Sequence, residues 1–190
     1  WKLFVGALAL SVTPWSLGQG VVISQVYGGG GNSGATYTHD FVEIFNAGSQ
    51  PVSLAGWSIQ YTSAAGSSWS VSPLAGMTLQ PGQYHLAQQS AGAGGTTPLP
   101  APDSLGSLML SATAGKVALV QGTAALTGTA PAGPAVLDFV GYGSANHFEG
   151  SAPAPALSNT TAALRARAGC QDSGDNLGDF TATAPNPRNS

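Results

Sequence analysis

Apolar and polar positions alternate over short distances in this chain, with a period near two, and Gly or Pro interrupts almost every run. VVISQVY (21–27) reads as a first strand and GGGGNSGATYTH as the loop after it. In DFVEIFN (40–46), Phe41, Glu43 and Phe45 fall on one face and Val42 and Ile44 on the other. GWSIQYT (56–62) and SSWSVS (67–72) form the arms of a hairpin around AAG, and MTLQ-PG-QYHLAQ (77–88) a strand, turn and strand. Residues 89–106 lack apolar periodicity and read as a low-complexity loop. LMLS (108–111), KVALVQG (116–122) and VLDFVGYG (136–143) resume the strands, and ALRARAG (163–169) and DFTATA (179–184) close the system. About ten short strands without an internal repeat predict one all-β domain, a sandwich or barrel. Its core is expected to include Phe41, Ile44, Phe45, Trp57, Trp69, Leu86, Leu119, Val140 and Phe180.

The N-terminus follows a different pattern. WKLFVGALALSVTPWSLG (1–18) places Lys2 before an apolar run from Leu3 to Val12, closed by Pro14, with Ser16 and Gly18 preceding a cut before Gln19. The run suits a signal peptide and is shorter than the ~20 residues of a membrane span. A signal peptide over 1–18, its start clipped, and a mature domain over 19–190 are expected, hence a secreted or cell-surface protein without a membrane span after leader removal. A buried N-terminal element is the competing reading. Charged residues make up 7% of the chain, against about 25% in ordinary domains. Five Lys and Arg in a chain of net charge −3 argue against autonomous nucleic-acid binding. A hydrophobic fraction of 43% argues against disorder. Cys170 is the only cysteine, so no internal disulfide forms. It is expected to be buried as a small apolar residue, with pairing to another chain or to a further part of this one as the alternative.

The segment ISQVYGGGGNSGATYTHDFVEIFNAGSQPVSLAGWSIQY resembles the opening of a bacterial lamin-tail domain. The resemblance rests on Glu43 two residues before the Phe45-Asn46 pair, and on the Leu54-x-Gly56-Trp57 turn. LQPGQYHLA (79–87), KVALV (116–120) and LDFVGYG (137–143) fit the later strands, and the segment from Ser158 onward resembles the end of such domains. The resemblance implies an immunoglobulin-like β-sandwich. The family has no generally assigned catalytic apparatus. Its bacterial members look like accessory modules beside hydrolases or in exported multi-domain proteins. A non-catalytic module with an unidentified protein or cell-surface partner is therefore expected. The alternative is the accessory domain of an extracellular nuclease or phosphatase whose catalytic part is absent from this chain.

Candidate chemistry is sparse. His39, His85 and His147 lie in separate segments without metal-ligand spacing, and His85 is expected on the solvent face of its strand. The Gly-rich loop 28–34 lacks the Lys-Ser/Thr ending of a phosphate loop. The sharpest feature is QDSGDNLGDF (171–180), where Asp172, Asp175, Asn176 and Asp179 put three carboxylates and an amide around two glycines. Oxygen ligands on a Gly turn suit Ca²⁺, although the spacing is not that of an EF-hand. The competing reading is that these side chains accept backbone N–H bonds in turns and a helix cap. Asp40 and Glu43 point to opposite faces of their strand. Glu43, beside Phe41 and Phe45, needs a cationic partner, for which Arg165 or Arg167 is expected. Arg165, Arg167 and Arg188 form the only basic feature, read as ion-pair partners of Glu43, Asp172 or Asp175 rather than as a ligand or nucleic-acid patch. Tyr27, Tyr37, Tyr61 and Phe148 are candidate exposed contact groups.

Overall fold

Alternating β-branched and aromatic residues make β1 (Val21–Tyr27) and β2 (His39–Asn46) the centre of the larger of two main sheets. The computed structural model describes residues 20–190; the leader expected over 1–18 lies outside the described residues. The remaining strands are β3 (Val52–Ser53), β4 (Ser58–Ser63), β5 (Ser70–Pro73), β6 (Thr78–Leu79), β7 (Tyr84–Ala91) and β8 (Ser104–Leu105). After them come β9 (Gly115–Val120), β10 (Val136–Tyr142), β11 (Ala162–Arg165), the one-turn helix α1 (Asn176–Asp179) and β12 (Phe180–Thr183). The six-stranded sheet runs β12-β11-β1-β2-β7-β8 and the four-stranded sheet β10-β9-β4-β5, with β3 and β6 paired apart. All strand pairs are antiparallel except β7 with β8. This is the expected all-β sandwich.

Its interior joins Ile23, Val42 and Ile44 of one sheet to Ile59, Leu119 and Val140 of the other. The opposite face of the larger sheet carries a second cluster, in which Tyr27, Phe41 and Leu86 pack together. The alternation read in DFVEIFN thus separates two cores. β1 changes parity midway: its register against β2 slips between Ile23 and Gln25, leaving Ser24 as an extra residue. Val26 rather than Gln25 consequently joins Val21 and Ile23 in the main core. All nine expected core residues are buried.

Four local expectations are corrected. The segment 89–106 contains the end of β7 and all of β8. Residues 108–111 form no strand, although Leu108 and Leu110 are buried. Their N–H groups donate to the side chains of Gln89 and Asp40, which replace a strand partner. The strand expected over 163–169 ends at Arg165, where Arg167 and Ala168 adopt φ of 53° and 56° in a 3-10 turn. That turn leaves Cys170 exposed rather than buried. The loop 28–34 is a close-approach device: a Cβ on Gly30 would overlap the His39 carbonyl group.

Candidate functional site

The densest polar chemistry gathers where the two sheets are joined beside the bulge at Ser24. β1 pairs with β11 only from Gln25 onward, so the backbone of Ile23 has no strand partner on that side. Side chains take the partner's place. The Ile23 N–H donates to Asp138 Oδ2 of β10 at 2.5 Å, and Arg165 Nε of β11 donates to the Ile23 carbonyl at 2.8 Å. Arg165 Nη2 closes the ring on Asp138 Oδ2 at 2.6 Å. β10 carries its own register shift between Val136 and Asp138. Two irregular strands therefore meet through one buried ion pair.

The other guanidinium nitrogen of Arg165 serves the acidic turn. Nη1 donates to the Gln171 carbonyl at 3.2 Å and to Asp172 Oδ1 at 3.1 Å, and lies 3.6 Å from Asp179 Oδ2. Its flat face covers the Phe180 ring at 4.5 Å. Of the expected partners Glu43, Asp172 and Asp175, Arg165 meets Asp172 and not Glu43, and Asp138 and Asp179 hold it as well. Glu43 lies buried and pairs with Arg188 Nη2 at 2.7 Å, and also accepts the Arg188 backbone N–H and the Ser24 hydroxyl. Arg188, rather than Arg165 or Arg167, is the partner because the tail after β12 folds back across the larger sheet, where Asn186 and Gln25 exchange two hydrogen bonds. Arg167 is exposed on the 3-10 turn.

The four residues of the acidic turn go to different tasks. Asp175 accepts the backbone N–H and hydroxyl of Ser151, which hold its carboxyl below the usual range. Asn176 is buried and acts as a strand substitute: Oδ1 accepts the Gly141 N–H at 2.8 Å and Nδ2 donates to the Phe139 carbonyl at 2.9 Å. Asp179 accepts the Ser173 N–H and hydroxyl, each at 2.8 Å. Only Asp172 joins a convergent set of carboxylates, with Asp138 and Glu149, whose ligand atoms lie within 4.8 Å of one another. Burial and the neighbouring acids raise Glu149 to about 8, and burial also pushes Asp138 upward against the pull of Arg165. Sequence reading passed over Asp138 and Glu149. Asp138 follows Leu137 in an apolar strand, where a lone carboxylate was itself a signal.

Histidine and lysine are used internally. His85 was expected on the solvent face; it is fully buried, with Nε2 2.7 Å from Ser104 Oγ and Nδ1 3.2 Å from Met77 Sδ. β8, lying beside β7, covers the position that a bare edge strand would expose. Desolvation lowers the pKa of this imidazole. His147 packs edge-on against Phe139, and His39 Nδ1 contacts Thr38 Oγ1. Lys116, unremarked in the sequence, is buried and donates to the Gly66 and Thr129 carbonyls and to Asn146 Oδ1. Of the four candidate contact aromatics, Tyr27 is fully buried, and Tyr37, Tyr61 and Phe148 are half-buried.

Two comparisons bear on this architecture, and no curated protein matches the chain. A crystal structure of a DUF4876 family protein from Bacteroides thetaiotaomicron superposes with a TM-score of 0.58 at 12% identity, covering 89% of this chain and 72% of that one. At that identity the likeness concerns the fold alone. The lamin tail domain family model matches residues 16–168, which include every strand from β1 to β11, and the chain belongs to that family.

Proposed function

We propose that the chain is a non-catalytic lamin-tail module of an exported protein, secreted or held at the cell surface, which binds, targets or assembles a partner. The observation that carries this reading is the use made of His85 and Ser104. They are the one Ser–His contact among the described residues, and a serine nucleophile activated by histidine would need such a pair. Both side chains are buried, and Ser104 Oγ already accepts the Ala75 N–H at 2.7 Å. The second imidazole nitrogen faces the Met77 thioether, where a triad would place a carboxylate. The contact is a packing bond between β7 and β8.

Assays of the purified chain with phosphate monoesters, phosphate diesters, DNA and a carboxylic ester test the proposal. The expected result is no turnover above buffer for wild type and for Ser104→Ala alike. Turnover that Ser104→Ala abolishes would overturn it. The accessory-domain alternative keeps the same module and adds a nuclease or phosphatase domain elsewhere in the polypeptide. The full coding sequence decides between them.

A second reading of the acidic turn, as a Ca²⁺ site, draws support from the convergence of Asp138, Glu149 and Asp172. The structural reading is favoured because Arg165 already supplies a cation to Asp138 and Asp172. Calcium bound by the purified chain would reverse that preference.

A further inference from the structure

A cavity of about 220 Å³ lies where the Gly-rich loop, β2, the end of β7 and segment 108–111 meet. Asp40 lines it, together with Gly30, Asn32, Ser90, Met109 and Leu110. Asp40 is only 4% exposed, and each of its oxygens accepts one backbone N–H: Oδ1 from Gly30 and Oδ2 from Leu110, both at 2.9 Å. Among the described residues, no ion pair reaches it. Arg165 is committed to Asp138, Asp172 and Asp179, Arg188 to Glu43, and Lys116 to two carbonyls and Asn146. The rim is apolar at Met109, which is 78% exposed.

A buried carboxylate without a cation of its own either takes up a proton or, where it lines an open cavity, is stabilised by a cation from outside. We propose that this cavity binds a primary alkylammonium group, with Asp40 as its counter-charge and Met109 against its methylene stem. Ammonium fits better than guanidinium. A guanidinium fork needs both carboxylate oxygens free in one plane, and Gly30 and Leu110 already occupy one site on each. A divalent metal would require several oxygen ligands, and Asp40 is the only carboxylate in the lining. The ammonium comes either from a lysine side chain on a partner protein or from a free polyamine. This inference rests on the binding-module reading and deepens it.

The test is an amide NMR titration of the whole chain with n-butylammonium chloride at pH 8.5, above the value of about 7 to which burial raises Asp40. Saturable shifts at the Gly30 and Leu110 amides are expected, and n-pentanol should produce none. Asp40→Asn should weaken binding about tenfold or more, as loss of a charge-assisted bond implies. Met109→Lys, at an exposed rim position, keeps Asp40 and supplies an ammonium in cis; it should abolish binding of the added amine. Tighter binding of a lysine-containing peptide than of 1,5-diaminopentane assigns the partner-protein source, and the reverse order assigns the polyamine. Absence of saturable shifts in wild type, or unchanged shifts in Met109→Lys, overturns the proposal. Either result beside inert hydrolase assays would leave the module reading standing.

Discussion

Replacing Arg165 with Met removes the cation while keeping an unbranched side chain of similar length over Phe180. Asp138 then lies buried with its strongest partner gone, Asp179 loses a contact at 3.6 Å, and the Ile23 carbonyl loses its donor. Breaking a buried ion pair from one side costs about 3–5 kcal/mol. In a domain of this size, each kcal/mol moves the melting temperature by roughly 2–4 °C. Thermal melts at pH 7 should therefore show Arg165→Met roughly 6–20 °C below wild type. The deficit should shrink in acid, because an orphaned Asp138 can take up a proton. Asp138→Asn should also destabilise. A double-mutant cycle should return a coupling energy of at least about 1.5 kcal/mol. A folded Arg165→Met that melts within about 2 °C of wild type, or a strictly additive double mutant, would refute the claim that this pair joins the sheets.

Glu43→Gln removes the ion pair to Arg188 and should lower stability by about 1–3 kcal/mol while speeding hydrogen exchange at Asn186 and Arg188; unchanged melting would contradict the tail's role. Burial raises Asp40 to about 7 and Glu149 to about 8, so both bind protons more tightly folded than unfolded. Their contribution is fully present below about pH 4 and is lost as pH rises through about 7 and 8, while the lowered imidazole of His85 works the other way; in urea melts the advantage of wild type over Asp40→Asn and over Glu149→Gln should therefore shrink from pH 4 to 9. Gly30→Ala should prevent stable folding, because its Cβ meets the His39 backbone. Gly34→Ala, where φ is +75° in open space, should cost only about 1 kcal/mol; equal effects on soluble yield and melting would contradict the close-approach account.

The strands were legible because their alternation is local. Phe41, Val42 and Ile44 declare opposite faces without reference to the rest of the chain. What escaped reading depends on tertiary placement. Ser24 is unremarkable in sequence, yet as an extra residue it frees the Ile23 backbone for Asp138 and Arg165. ALRARAG reads as alternating strand, and nothing local announces the left-handed turn at Arg167 that separates its two arginines. Arg188 follows two proline positions near the C-terminus, and only the path of the tail brings it 2.7 Å from Glu43. The acidic turn was visible as a cluster. The backbone-acceptor role of Asp179 is local and was within reach of the turn reading, whereas Asn176 as strand substitute and Asp172 as Arg165 partner were not, because those roles depend on β10 and β11.

Arg165 of this module pairs with three carboxylates of the acidic cluster between its sheets, and on the reading proposed above the cluster needs no bound metal. Elemental analysis of the purified chain, paired with melting curves in Ca²⁺ and in EDTA, tests it most directly. No stoichiometric metal and coincident melts are expected. One calcium per chain, with a lower melt in EDTA, would contradict that reading.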